Sequence, residues 1–311
     1  MLIEPTKNKI LVIGDVMIDI YILGNSNRLS PEAPVPIVLA DKEKMRLGGA
    51  ANVANNITSL GGKCSLLGCK GRDRYASILH KLLLEKGIED LTFEVGLPTI
   101  TKTRIFAQNQ QIVRIDREEQ FTKPMLVIDE CKKYLANYEN GIIIVSDYGK
   151  GLCSKSFLIF LIETCRRLNI RVFIDPKGAD WSKYENATLI KPNLKELSDI
   201  IGIPISNTDD VIIAHGQSVM KKLNINYLLV TRSEKGMTLL YEDEFIHFRS
   251  RAKKIFDVSG AGDTVIASLV IGLLEGQTIK EATCAANIAA GLVVSKFGTA
   301  TINKQELKAN F

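Results

Sequence analysis

From Pro124 onward the chain alternates short apolar runs with helix-spaced stretches, and that alternation is the tightest constraint on its fold. Apolar runs fall at 142–145, 172–174, 188–191 and Tyr227–Thr231. Helical patterns fall at 124–138, after Ser154 (a good N-cap), at Leu194–Ile201 and at Asp209–Leu223. Strands of this kind, separated by helices, fit a parallel sheet covered on both faces, an α/β sandwich of three layers. Residues 10–14 and 65–68 read as earlier strands of the same kind. Met237–Tyr241 and Glu244–Phe248, flanking Glu242-Asp243, read as a hairpin. Two helices close the pattern, 260–274 and 279–296, the second with Thr278 and Glu281 at capping-box spacing.

In an open parallel sheet, ligands bind beyond the C-terminal ends of the strands. Polar clusters sit at five such ends: Asp15, Ser146-Asp147-Tyr148, Asp175-Pro176-Lys177-Gly178, Lys191-Pro192-Asn193 and Thr231-Arg232-Ser233. Together they describe a crevice.

The stretch Asp257-Val258-Ser259-Gly260-Ala261-Gly262-Asp263-Thr264 leads into an apolar run. Its glycines would present free N–H groups at a helix N-terminus, which favours an anion. Asp263 beside such a site suits a base that takes a proton from a hydroxyl attacking a bound phosphoryl group. A first-turn capping carboxylate reads equally well locally. Asn193 and Glu196 share a helix face, so they suit a hydrated Mg²⁺ near phosphates or, just as simply, a capping box. Gly48, Gly49 and Asn52 look like a glycine turn feeding a helix that ends at Gly61-Gly62, and could line a sugar pocket. Asp15 and Asp19 could accept from sugar hydroxyls, although Asp19 also reads as a solvated loop carboxylate. Arg104, Arg114 and Lys177 could bind a phosphate or lie at the surface.

Between residues 21 and 44 the pattern breaks. Pro31, Pro34 and Pro36 rule out a helix or a central strand there, leaving an excursion with edge strands such as 35–40. The β-rich runs 99–107 and 111–116, joined by a turn at Gln108-Asn109-Gln110, could complete a small antiparallel sheet with it. A helix at 74–86, stopped by Gly87, lies between.

The 40 Lys+Arg against 35 Asp+Glu are spread without a basic block, which suits an anionic small molecule and gives no support for nucleic acid. The six cysteines form no CxxC pair and the three histidines are scattered, so neither a zinc site nor a Cys–His dyad is expected. The first residues lack a signal peptide's long apolar region and no run is long enough to span a bilayer, so a cytoplasmic protein without membrane contact is expected. There is no P-loop, no G-x-G-x-x-G continuation because Val265 takes the last position, no G-x-S-x-G elbow, and no H-R-D or D-F-G.

Taken in order, these motifs resemble the ribokinase, or PfkB, family of small-molecule kinases. They are the Gly-Gly-x-x-Asn turn at Gly48, Gly49 and Asn52, the Asn-x-x-Glu pair at Asn193 and Glu196, and Asp257 to Thr264; Val258-Ser259 departs from the usual Thr-Thr. Gly14-Asp15-Val16-Met17-Ile18-Asp19, the segment from Arg28 to Pro36, Asn109-Gln110-Gln111 with Arg114, and Ser146 to Gly151 are similar to the D-glycero-β-D-manno-heptose-7-phosphate kinases within it. The resemblance implies a ribokinase-like fold over 1–311 as one domain with a β lid from about 16–46 and 98–117. It implies ATP and Mg²⁺ as cofactors and a sugar phosphate as acceptor, phosphorylated at its anomeric hydroxyl. Asp263 would be the base, with Gly260, Ala261 and Gly262 stabilising charge. Asn193 and Glu196 would organise the metal, in part through water. Thr231, Ser233 and Gly236 would lie along the nucleotide, and Asn287, Gly291 and Gly298 near the adenine. Asp15, Asp19, Gly48, Gly49 and Asn52 would hold the sugar, and Arg104, Lys177 and Arg114 its phosphate. A homodimer through the lid is expected. Such kinases are often fused to a nucleotidyltransferase, so both a stand-alone kinase and a domain of a longer protein stay open. Another sugar-phosphate kinase and a silent binding module are the rival readings.

Overall fold

In the first strand, β1 (Lys9–Gly14), Ile10 and Val12 enter one apolar core while Leu11 and Ile13 enter another. This is the two-residue period of a strand buried on both faces. The computed structural model describes residues 9–108, 110–136, 138, 141–252 and 254–311. After Asp15 alone, β1 passes into β2 (Val16–Leu29), which returns as β3 (Pro36–Gly49) and runs directly into α1 (Ala50–Ser59). Next come β4 (Lys63–Leu67), β5 (Cys69–Lys70), α2 (Arg74–Glu85), β6 (Glu89–Asp90), β7 (Phe93–Glu94), β8 (Ile100–Ala107) and β9 (Gln110–Arg117). The alternating part follows: α3 (Pro124–Leu135), β10 (Ile142–Ser146), α4 (Lys155–Arg167), β11 (Arg171–Asp175), β12 (Leu189–Ile190), α5 (Leu194–Ile201), α6 (Asp209–Leu223) and β13 (Tyr227–Thr231). The hairpin β14 (Met237–Tyr241) and β15 (Glu244–Phe248) leads to α7 (Ala261–Leu274), α8 (Ile279–Val293) and α9 (Lys304–Lys308).

Among the described residues the main sheet runs β15-β14-β13-β12-β11-β10-β1-β4-β6, parallel from β13 to β6 and antiparallel in the hairpin. Helices α3 to α6 cover one core, through residues such as Val127, Phe157, Leu197 and Ile212. Helices α1, α2, α7 and α8 cover the other, through Val53, Leu79, Ile266 and Ala286. Helix α7 is buried almost all round, which explains why its sequence carries no polar face. A second sheet, β3-β2-β8-β9, stands on the edge where β1 ends; Ile18 and Ile20 root it in the second core.

The proline-bearing excursion is more regular than its sequence suggested. Pro31 and Pro34 lie in the connection and Pro36 opens β3, the edge strand, where a missing N–H costs least. The two long strands escaped the pattern because register shifts between Leu23 and Gly24 and between Asn25 and Arg28 interrupt their alternation. Gly48 and Gly49 are the end of β3 and not a turn. Only Gly49, the N-cap of α1 at φ 57°, takes a left-handed backbone. The turn expected at Gln108-Asn109-Gln110 has Asn109 outside the described residues. Strands β5, β6 and β7 are too short to leave a periodic signal. No helix of the described residues is long and apolar enough to cross a membrane, and all six cysteines are free thiols.

Candidate active site

Parallel register brings the polar strand ends to one edge. Gly14 pairs with Ser146 and Ser146 with Asp175, while Asn193 bridges to Thr231. Above that edge Gly260, at φ 78°, turns the chain into α7 and sets Asp263 in its first turn. A side chain at Gly260 would meet Asn52 Nδ2 at 2.7 Å, so the turn and the start of α1 can approach this closely only through glycine.

Asp263 is buried, and both carboxylate oxygens accept hydrogen bonds. Asn52 Nδ2 donates to Oδ2 at 2.7 Å and the Tyr148 hydroxyl donates to Oδ1 at 2.9 Å. Burial, and then the nearby Asp175 charge, push its pKa up to about 7, against the pull of Asn52, Tyr148 and Lys191. A carboxyl group with such a pKa can exchange a proton close to neutral pH, and it makes no capping bond to the helix. Asn52 Oδ1, buried, has no hydrogen-bond partner among the described residues, so the same amide keeps one acceptor free for a ligand hydroxyl.

Lys191 lies beside the glycine turn. Its Nζ sits 3.0 Å from Asp175 Oδ1 and 3.1 Å from where a Cβ on Gly262 would be. Burial pulls this ammonium down, but the Asp175 and Glu196 carboxylates outweigh it and hold Lys191 above its usual range. A cation is thus fixed at the positive end of α7, a strong anion site. In the sequence Lys191 is marked only by its place at a strand end, since nothing local says which way a lysine points.

Asn193 and Glu196 do form the capping box: Glu196 N donates to Asn193 Oδ1 at 2.9 Å and Asn193 N donates to Glu196 Oε2 at 3.0 Å. Lys177 Nζ lies 3.2 Å from Glu196 Oε1. Among the described residues no group of three or more His, Cys, Asp or Glu could hold a metal alone. A Mg²⁺ ion that keeps its waters and binds mainly through substrate phosphates needs only one or two carboxylates. Asp175 and Glu196, which both face Lys191, fit that requirement.

On the other side, β2, β8 and β9 place Asp19, Lys102 and Asp116 in register. Asp19 is buried and paired with Arg104 Nη1 at 2.6 Å, so it is no solvated loop carboxylate. A side chain at Gly48 would meet its Oδ2 at 2.7 Å. Arg104 also lies over the Tyr21 ring at 5.5 Å. Arg114, across from Arg104, is half exposed and bonded to Asp116. Lys177 is not brought to these two arginines; it lies by Glu196 and Gly149. Lys102, missed in the sequence, sits two residues before Arg104 on the same face, its ammonium 5.8 Å from the Tyr148 ring centre. It makes no ion pair among the described residues, and burial lowers its pKa. Asp15 is an anchor: it accepts from the backbone N–H groups of Tyr148 at 2.9 Å, Lys150 at 3.1 Å and Leu152 at 3.3 Å. Burial pushes its pKa up to about 6.

A cavity of about 220 Å³ opens between β13, the hairpin, α7 and α8. Its lining includes Thr231, Ser233, Gly236, Gly262, Asn287 and Gly291. Gly298 is not among these lining residues; its N–H donates to Asp257 Oδ2 at 3.0 Å, and a side chain there would meet the Tyr21 hydroxyl at 2.9 Å.

Comparison with known proteins agrees with this architecture. The model of the pfkB family carbohydrate kinases matches residues 7–306. The chain is 46% identical to "Bifunctional protein HldE" of Haemophilus influenzae (strain PittEE), over 98% of its own length and 64% of that protein's. It is 44% identical to the protein of the same name from Pasteurella multocida (strain Pm70), with the same coverage. It thus spans under two thirds of the length of these curated relatives. Among solved structures, phosphofructokinase-2 from Escherichia coli in complex with potassium superposes at TM-score 0.83 and 18% identity, covering 97% of this chain and 98% of that one. Arabidopsis thaliana ribokinase complexed with ribose and ATP superposes at TM-score 0.76 and 20% identity, covering 98% of each chain. These likenesses give the ribokinase-like fold, and the family match over nearly the whole length gives the class: the chain belongs to the pfkB family of carbohydrate kinases.

Proposed function

We propose that this chain transfers the γ-phosphoryl group of ATP to the anomeric hydroxyl of D-glycero-β-D-manno-heptose 7-phosphate, giving the 1,7-bisphosphate. The observation that carries the reading is the position of Asp263. A buried carboxylate with a pKa near 7 stands between a positive helix end with Lys191 and a sheet face bearing Lys102 and Arg104. The likeness to the HldE proteins over 98% of the chain supports the heptose.

In this reading the nucleotide base and ribose occupy the cavity lined by Thr231, Ser233, Gly236, Asn287 and Gly291. The phosphates reach the N–H groups of Gly260, Ala261 and Gly262 beside Lys191. Asp175 and Glu196 would hold Mg²⁺, with Asn193 shaping the turn. The ion, when bound, neutralises charge on the phosphates. The acceptor hydroxyl gives its proton to Asp263 as its oxygen bonds to the γ-phosphorus and the bond to the β–γ bridging oxygen breaks, releasing ADP. Such transfer depends on positioning and electrostatics, which these groups supply. Asn52 Oδ1 and Asp19 accept from sugar hydroxyls, with Gly48 and Gly49 giving close backbone approach. Asp15 keeps the Tyr148 loop in place. Lys102 and Arg104 meet the 7-phosphate, with Arg114 at the rim. Lys177 stays with Glu196 on the nucleotide side.

The second sheet acts as a lid on a single kinase domain. Its outer strands expose apolar side chains, Leu39 on β3 and Val113 and Ile115 on β9, which suit pairing with a second copy in a homodimer. Six free thiols and the need for ATP fit the cytoplasm. A panel of phosphorylated sugars with ATP tests the substrate. Turnover on heptose 7-phosphate well above fructose 6-phosphate is expected, and the reverse order overturns the assignment.

A further inference from the structure

The loop after β10 is fixed more firmly than a connection needs. Asp15 accepts from the N–H groups of Tyr148, Lys150 and Leu152. Asp147 accepts from Gly149 N at 2.7 Å and from the Tyr184 hydroxyl at 2.7 Å, and it pairs with Lys183. Both carboxylates are themselves buried, at 3% and 4% exposure, so two costly groups are spent on holding one short loop. What the loop delivers is the Tyr148 side chain, which crosses the crevice and places its hydroxyl 2.9 Å from Asp263 Oδ1.

We propose that Tyr148 is a positioning residue for the base: its hydroxyl, aimed by the doubly anchored loop, fixes the plane of the Asp263 carboxylate and favours its charged form. The proposal rests on Asp263 being the base. The groups facing that carboxylate are Asn52 from α1, Tyr148 from the loop, Asp175 from the end of β11 and Lys191 from beyond β12. Asp175 opposes the charged form, and Asn52, Lys191 and Tyr148 favour it. Tyr148 in turn faces Asp263, Asp175 and Asp19, and Lys102 stands over its ring. Burial first, and then these carboxylates, push its phenol well above the usual range. It therefore acts as a neutral donor throughout the working range. An asparagine–tyrosine clamp of this kind leaves the remaining carboxylate lone pairs for the acceptor hydroxyl.

Tyr148→Phe keeps the ring and removes only the donor. A hydrogen bond to a charged group is strong enough that its loss raises the carboxylate's pKa by about one unit or more. The acid limb of kcat/KM is therefore expected to move to higher pH by that amount, with activity largely recovered above the new limb. Replacing Tyr148 by 3-fluorotyrosine, a stronger donor, is expected to move the limb the other way. A uniform loss with an unmoved limb overturns the proposal, because a merely structural ring would give that result. A second reading needs no acceptor. The Asp263 carboxyl carbon, labelled with ¹³C and assigned by its disappearance in Asp263→Asn, is titrated in the free protein and in Tyr148→Phe. An upward shift is expected, and coincident curves overturn the proposal even if the kinase acts on a different sugar. If the carboxyl shifts but heptose 7-phosphate is not turned over, the substrate assignment fails and Tyr148 keeps its role.

Discussion

Asn52 Nδ2 lies 2.7 Å from Asp263 Oδ2, although 211 residues separate the two in the chain. The contact ties the start of α1 to the start of α7, so the two glycine-bearing motifs of the sequence are halves of one site. It also makes Asp263, the proposed base, depend on an amide from the start of α1. Asn52→Ala should leave ATP binding intact, lower kcat by about tenfold or more, and shift the acid limb of the rate profile to higher pH. Steady-state kinetics across pH, with calorimetry of ATP binding, checks this.

Asp263→Asn should retain ATP and lose turnover by about two to four orders of magnitude, the usual contribution of a positioned general base. Unchanged turnover would remove Asp263 from that role.

The same substitution should stabilise the fold. The pKa of Asp263 rises on folding from an ordinary value of 3.8 to about 7. The folded state therefore holds the proton more tightly, and the stability this gives is complete below pH 4 and lost as pH climbs through 7. At neutral pH the charged, buried carboxylate is a cost that asparagine removes. A rise in Tm of about 2 °C or more at pH 7.5, shrinking toward pH 4, is the expected result in thermal scans. Activity runs the opposite way, falling as pH drops through about 7.

Lys191→Met should strand the buried Asp175 charge and cost about 3–5 kcal/mol of stability. Lys191→Met with Asp175→Asn should recover most of that stability but not the rate, because the cation beside Gly262 is still missing and a carboxylate proposed for Mg²⁺ has gone with it. Denaturant unfolding and kcat measured on the same samples separate the two effects.

Lys102→Met should raise KM for a phosphorylated acceptor by about tenfold or more, as expected for losing one charged contact. Its effect on the unphosphorylated sugar should be small. Arg114→Gln, at the exposed rim and already bonded to Asp116, should change either KM little.

Much of the scaffold was legible because its strands are buried on both faces and its helices carry capping signals. The runs at Tyr227–Thr231 and Leu194–Ile201 recur unchanged in the structure. The site was legible where a backbone need forces residue type, as at Gly260 or Gly48. Side chains that reach across the crevice were not. Tyr148 and Lys102 look like ordinary strand-end and strand residues until β2, β8 and α7 are brought together. The surroundings of Gly298 and Lys177 were not legible for the related reason that a position in the chain does not say which way a turn faces. Asn193 and Glu196 form the capping box that their spacing allowed, and lone pairs left on Glu196 keep its proposed role toward a water-held ion open.

The most direct test of the account is the product formed from D-glycero-β-D-manno-heptose 7-phosphate and ATP with Mg²⁺, followed by ³¹P NMR. The account predicts a new anomeric phosphate resonance growing in step with ADP, absent with Asp263→Asn. ATP left unconsumed by the unaltered protein, or a phosphate arriving at a hydroxyl other than the anomeric one, would contradict it.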